Sequence, residues 1–272
     1  MDSTPDLPGK QSLDTTTPAS EVRRNALTRQ NVAIVLWIIG LMTLVVTSVI
    51  VRLHPAPWPF DLQTTITLQQ LQLWSWVITP IGWVSIMGDV LHSTIEFTVW
   101  FVVLSLIGVL AWRRGRSPIP WFVIAIFASL IVAALNGLDG LIALIVGRPR
   151  PSPQLIHVYM PVPVHSFPSG HVENDVVFFG FLLYLSLSKP VSQWRYRWLL
   201  IPFQLYAVLN ILLIGFSRVY EGSHWVTDVS GGYLSGALCL ALLIVLYRWT
   251  LDRMTRWYDK RQAKKSTQNQ PA

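Results

Sequence analysis

The chain has 272 residues, 52% of them hydrophobic and 13% charged, with a formal net charge of +7. Soluble domains carry roughly 25% charged residues, so this balance excludes an ordinary water-soluble globule and points to the bilayer. The single cysteine, Cys239, excludes an intrachain disulfide and reads as a small apolar residue within a span.

In chain order, residues 1–30 are polar and rich in Thr, Pro, Asp and Ser, and they read as a disordered tail. The apolar stretch from Val32 to Val51 is too long for the core of a signal peptide and reads as a retained first span. Apolar runs predict five more spans, over 94–112, 120–146, 175–188, 198–216 and 228–248, judged against the roughly 20 apolar residues that cross hydrocarbon. The fourth is short, and its start takes in the residues just after His171.

Between the first two spans, residues 60–93 form a further segment. Leu62, Ile66, Leu73 and Val77 recur at helical spacing opposite Gln63, Thr67 and Gln70, while Trp58, Trp74, Trp76 and Trp83 cluster as interfacial residues do. This predicts a helix lying on the outer surface. The run 77–92, broken by Pro80, Gly82 and Gly88, reads alternatively as a re-entrant piece or as the start of the second span. The expectation is an all-α, six-helix integral membrane bundle over 31–250 with an interfacial helix, flanked by the tail 1–30 and a basic tail 251–272.

Orientation follows from charge. With the N-terminus cytoplasmic, every lysine and arginine except Arg52, Arg148, Arg150 and Arg218 falls on the inner side, a bias that fixes topology. The basic residues are thus membrane-flanking anchors, and the partners implied are membrane lipids, not nucleic acid. Both termini are expected in the cytoplasm, with the opposite face toward the periplasm or exterior. All six histidines, His54, His92, His157, His165, His171 and His224, then lie on that outer face.

Three of the four outer arginines sit in short motifs: Gly147-Arg148-Pro149-Arg150-Pro151, Pro168-Ser169-Gly170-His171, and Ser217-Arg218 followed by His224 and Asp228. Ser169-Gly170-His171 stands where a helix enters the membrane, and the first amides of a helix point toward an anion. Gly170 permits close backbone approach and Ser169 adds a hydroxyl donor. Asp228 follows His224 by one helical turn, so its carboxylate is expected to fix the imidazole tautomer and leave the other nitrogen free to attack. Arg148 and Arg150 add forked donors suited to phosphate oxygens. Two histidines and a carboxylate are also a metal-ligand set, but three arginines nearby repel a divalent cation; no metal and no cofactor is expected.

These motifs make the chain resemble the phosphatidic acid phosphatase type 2 / vanadium haloperoxidase superfamily over about residues 60–250. The second and third parts of that signature are complete. By this resemblance His224 would be the nucleophile that forms a phosphohistidine, Asp228 would orient it, and His171 would protonate the leaving oxygen. Arg150, Ser169, Gly170 and Arg218 would hold the phosphate. The first part of the signature departs, because Ala143 stands where the family has a lysine, and Arg148 is a candidate to replace that cation. The implied activity is metal-independent hydrolysis of a lipid phosphate, such as phosphatidic acid, phosphatidylglycerol phosphate or an isoprenoid pyrophosphate, at the outer leaflet. The gap at Ala143 motivates the alternative, a lipid-phosphate binding or transport protein that hydrolyses little. Haloperoxidase chemistry is disfavoured by the span pattern. Gly231, Gly232 and Gly236 are expected to serve helix packing, and Asp139 and Asn136 lie unusually inside the third span.

Overall fold

A computed structural model describes residues 18–87, 90–159, 164–189, 191–193 and 195–268, and all its regular elements are helical. They are α1 (Pro18–Leu53), α2 (Pro59–Gln69), α3 (Ser75–Met87), α4 (Val90–Arg113), α5 (Ile119–Ile126), α6 (Val132–Val146), α7 (Gly170–Leu187), α8 (Ile201–Tyr220) and α9 (Val226–Gln268). A π-helical turn, Phe127–Ile131, joins α5 to α6. The chain divides into two compact units, Met1–Gly40 and Leu41–Ala272. Among described residues the first holds the opening part of α1, and the second holds everything discussed below.

Among the described residues, five stretches are long and apolar enough to cross a membrane: Gln30–Leu53, His92–Arg113, Ile119–Val146, Arg197–Tyr220 and Val226–Lys264. Large apolar side chains stand exposed on them, Leu106, Ile145 and Val245 among them, as a lipid-facing surface requires. The fourth predicted span, at 175–188, corresponds to α7, which is not among these five. Its first turns carry Glu173, Asn174 and Asp175, all buried, and they dilute the hydropathy that marks a span.

Helix α7 is the axis of the second unit. Val177, Phe178 and Phe181 are almost wholly buried in a core shared with α4, α5, α8 and α9. Its closest approach is to α9, where Cβ atoms built on Gly232 and Gly236 would lie 3.0 Å and 2.8 Å from the Cβ atoms of Val172 and Val176. Gly232 and Gly236 therefore serve the packing expected of them, because a side chain at either would part the two helices, while a Cβ on Gly231 would meet the Phe167 ring at 2.6 Å.

Residues 60–93 differ from the single surface helix expected. Two helices, α2 and α3, are separated by residues 70–74, with α3 packing Val84 into the cluster of Val172, Val176 and Ile214. The buried face of α2 is the polar one: Asp61 and Thr65 are fully buried, whereas Ile66 is exposed. Gln69 pins the neighbouring loop, donating to the carbonyls of His157 at 2.7 Å and Tyr220 at 3.0 Å. Trp74, Trp76 and Trp83 stand exposed. The side chain of Asn136 lies outside the described residues.

Candidate active site

The C-terminal ends of α6 and α8 and the N-terminal ends of α7 and α9 meet at one end of the bundle. Gly147, with a φ of 69°, caps α6 in the left-handed region that glycine tolerates, and releases the chain into the loop that carries Arg148 and Arg150. Gly222 turns the chain after α8 with a φ of 67°, and a Cβ there would lie 2.2 Å from the His157 carbonyl oxygen. The peptide between Phe167 and Pro168 is cis. Two turns and two helix starts thus bring the three motifs together.

A cavity of about 1080 Å³ opens among them. Its polar wall includes Arg150, Gly170, His171, His224 and Asp139, and its apolar wall includes Phe97, Phe101, Leu130 and Leu144. Ala143 and His165 also line it.

His224 lies in the short connection between α8 and α9 and is 1% exposed. Its Nδ1 is 2.8 Å from the Ser166 carbonyl oxygen. A carbonyl only accepts, so Nδ1 carries the proton and Nε2 carries the lone pair. Nε2 is buried and has no hydrogen-bond partner. Burial pushes the imidazole down to about 4, assisted by Arg150 and His171 and opposed by Asp228. The result is a neutral imidazole with an unoccupied nitrogen on a cavity wall. The ring of His171 lies 6.3 Å away, centroid to centroid.

Asp228 does not orient His224 by the direct hydrogen bond expected. Its Oδ2 is 3.9 Å from Nδ1, beyond hydrogen-bond range. The reason is local: α9 begins at Val226, so His224 precedes the helix and the one-turn spacing does not apply. Asp228 instead accepts from the Trp225 amide at 2.8 Å and from Ser166 Oγ at 2.5 Å. The first contact ties the start of α9 to its third residue, as one half of a capping box does. The second holds Ser166, whose own carbonyl fixes His224. The carboxylate therefore acts on the imidazole through Ser166.

Arg148 is not a cavity residue. Its side chain is fully buried, with Nη2 2.7 Å from Asp61 and Nη1 2.6 Å from Asp228. Nη1 also donates to Thr227 Oγ1 at 2.6 Å. Asp61 in turn accepts from the Thr227 amide at 2.9 Å, so an acid on α2 satisfies the open N-terminus of α9. The expected replacement for the missing lysine is thus a brace between two carboxylates. No phosphate-directed donor remains on it.

Arg150 does face the cavity. Its Nε and Nη1 donate to the carbonyls of Val164 and Ser223, both at 3.1 Å, which leaves Nη2 uncommitted by either bond. Burial, with Arg218 nearby, pushes the guanidinium down to about 10 against the pull of Asp228, so it stays charged at neutral pH. Arg218 is 4% exposed and lies outside the cavity wall, bonded to Ser85 Oγ and, at 2.9 Å, to Glu221. Ser169 and Gly170 open α7, and the buried Ser169 hydroxyl has no partner. The structure therefore brings Arg150, Ser169, Gly170, His171 and His224 together, and sets Arg148, Arg218 and Asp228 behind them. Asp61, Ser166 and Thr227 were not legible as site residues. Asp61 reads locally as an acid in a first helical turn, and nothing in the sequence links it to Arg148.

A family model described as the PAP2 superfamily matches residues 126–253, a stretch that includes both histidines and Asp228. Lipid phosphate phosphatase delta of Arabidopsis thaliana is 32% identical over 129 residues, covering 43% of this chain and 30% of its own length. Phosphatidylglycerophosphatase B of Bacillus subtilis is 33% identical over 80 residues, covering 29% and 37% respectively. Undecaprenyl-diphosphatase of Sulfolobus acidocaldarius is 29% identical over 140 residues, covering 51% and 59%. The chain thus spans about a third to three fifths of the length of these relatives. Among solved structures, a transmembrane PAP2-type phosphatidylglycerolphosphate phosphatase from Bacillus subtilis shares the fold, with a TM-score of 0.57 at 17% identity over 77% of this chain and 94% of that one.

Proposed function

We propose that this chain, a member of the PAP2 superfamily through residues 126–253, is an integral membrane phosphatase that releases phosphate from a lipid phosphate or diphosphate by way of a phosphohistidine. The observation that carries the reading is His224 Nε2, buried, unpartnered and set on a cavity wall beside Arg150 and His171. Nε2 attacks phosphorus as the bond to the leaving oxygen breaks. His171 gives that oxygen its proton, so the lipid leaves as an alcohol, or as a monophosphate if it entered as a diphosphate. Water, deprotonated by His171, then attacks the phosphohistidine, releasing inorganic phosphate and restoring His224.

Charge on the transferring group meets Arg150, the Ser169 hydroxyl and the first amides of α7, donors aimed before the reaction begins. The apolar wall at Phe97, Phe101, Leu130 and Leu144 suits an acyl or isoprenoid chain. No step in this scheme calls for a metal, and activity is expected to survive chelators.

In this reading α7 is the sixth span, the α2–α3 segment lies at the outer interface, and the site opens to the periplasm or exterior. The segments 1–30 and 251–272 lie in the cytoplasm as tails.

Purified chain in detergent micelles should release phosphate from phosphatidic acid, phosphatidylglycerol phosphate or an isoprenoid diphosphate, and His224→Ala should reduce release by at least 10³-fold. Equal release from both proteins would sink the enzyme reading. Ala143 on the cavity wall favours the second reading, a lipid-phosphate binding protein. Tight binding without release by the wild type would select it.

A further inference from the structure

The second half of the proposed cycle, attack of water on a phosphohistidine, asks for more than a base. Water has two O–H groups and His171 takes the proton of only one. An acceptor for the other fixes the nucleophile in line with the phosphorus. Arg150 and the first amides of α7 are donors only, so the acceptor must come from elsewhere on the cavity wall. On α6, Asp139 lines the same cavity. It is 5% exposed, and its Oδ1 is buried without a hydrogen-bond partner. Its other oxygen lies against the turn just before His171, since a Cβ built on Gly170 would fall 2.7 Å from Oδ2.

An acid on a phosphate-directed wall would repel its ligand if it were ionised. Asp139 avoids this through Glu173, with which it shares a hydrogen bond. Two carboxyls bond to each other only through a proton that one of them carries. Glu173 also accepts from Ser235 Oγ at 2.5 Å and Cys239 Sγ at 3.7 Å. Three donors converge on Glu173, as on an anion, so the shared proton belongs to Asp139. Glu173 is 2% exposed and stands behind the residues that line the cavity. The cavity therefore meets the carbonyl oxygen of a neutral acid. Gly137, Gly140 and Ala143 line the wall beside it, and a Cβ on either glycine would meet nothing within 4 Å, which leaves room for a water molecule.

We propose that Asp139 positions the hydrolytic water, its Oδ1 accepting the O–H that His171 leaves in place. The proposal rests on the phosphohistidine reading above. In this step the water oxygen bonds to phosphorus as the bond from phosphorus to His224 Nε2 breaks, and that electron pair returns to Nε2. One water proton passes to His171, restoring the acid for the next turnover. The other stays on the phosphate oxygen, still directed at Asp139. An alcohol brings a single O–H, which His171 consumes, so Oδ1 gives it no second hold. Asp139 thereby favours transfer of the phosphoryl group to water over transfer to an alcohol.

The test uses the full chain in micelles with phosphatidic acid labelled at phosphorus, in buffer containing methanol, and compares label in inorganic phosphate with label in methyl phosphate. Asp139→Ala should move that ratio toward methyl phosphate by about tenfold, the worth of one hydrogen bond to the nucleophile. It should also accumulate an acid-labile, base-stable phosphoenzyme. Asp139→Asn can donate from its amide to Glu173 and keep a carbonyl oxygen on the cavity, so its ratio should stay within about twofold of wild type. The ratio counts only molecules that turn over, so a poorly folded fraction does not enter it. If Asp139→Ala yields no active protein, Asp139→Ser, too short to present the same oxygen, is read in the same way. An unchanged ratio in the alanine or serine variant, or a shift in Asp139→Asn as large as theirs, overturns the proposal. If wild type releases no label to either acceptor, the phosphatase reading falls and takes the water site with it. Label released at a ratio indifferent to residue 139 overturns the water site alone.

Discussion

Replacing Arg148 with methionine keeps most of its volume and removes the charge from a side chain that is 0% exposed and pairs with Asp61 and Asp228. Two buried carboxylates are then left facing each other without a cation. Removing one partner from a buried pair destabilises by about 3–5 kcal/mol, and two stranded acids place Arg148→Met at the upper part of that range. Each kcal/mol lowers the melting temperature of a domain of this size by about 2–4 °C, so the variant should melt on the order of 10–15 °C below wild type in the same detergent. Adding Asp61→Asn removes one stranded charge and should recover about 1–2 kcal/mol, a non-additivity expected only of groups in contact. Phosphate release should fall with it, through kcat, because Asp228 and Ser166 lose their anchor. An arginine that bound substrate phosphate would behave oppositely, with an unchanged melting temperature and a raised KM. That pattern, or no recovery in the double variant, refutes the brace.

Other outcomes can be checked alongside. His224 takes a proton only at about 4 in the folded chain, against an ordinary value of 6.5. Between those values the unfolded chain binds more protons, so stability should fall as the pH drops from 6.5 to 4, by about 1.4 kcal/mol per unit from this group. His224→Gln should flatten that part of the curve, and an equal slope in the variant would exclude the histidine as its source. Gly232→Ala would set a Cβ 2.6 Å from the Ser169 carbonyl oxygen; backbone cannot yield cheaply, so a loss of about 1–3 kcal/mol is expected, with reduced phosphate release, and wild-type melting would contradict the packing described. Ala143→Lys should tighten inhibition by vanadate at least tenfold by placing a cation on the cavity wall, and unchanged inhibition would show that another group already fills that role. Finally, a reagent confined outside the cell should label a cysteine placed at position 157 and not one at 195; the reverse would invert the proposed topology.

The apolar spans and the two candidate site histidines were legible because apolar runs and short polar motifs are local signals, whereas α1 begins at Pro18, inside the segment read as a disordered tail, and α9 runs to Gln268, well past the predicted end of the last span at 248. Three features were not legible, each for a physical reason. The alternation of apolar and polar residues in α2 marks a helix but not which face packs on the bundle, and α2 buries Asp61 and Thr65 while Ile66 stands exposed. Arg148 reads as a phosphate donor because its partners lie 87 and 80 residues away in the chain, beyond any spacing rule. The separation of His224 from Asp228 reads as one helical turn only if the helix starts early enough, and it starts two residues after His224. The start of α7 at Gly170 was legible by contrast, because Ser169-Gly170-His171 reads as a helix entry although the apolar run begins only at 175.

The π-helical turn at Phe127–Ile131 sets the phase of everything that follows it in the third span. A π turn holds one residue more than an α turn, so α6 leaves it rotated by about 100° from the face that α5 would have continued. That rotation is what presents Gly137, Asp139, Gly140 and Ala143 to the cavity, while Ser129 within the turn is anchored to the Phe97 carbonyl at 2.9 Å. Deleting a single residue there would preserve a span of adequate length and hydropathy yet turn the acidic wall toward the lipid. The turn therefore works as an indexing device. An insertion or deletion in this segment would exchange one cavity lining for another without altering a single motif residue.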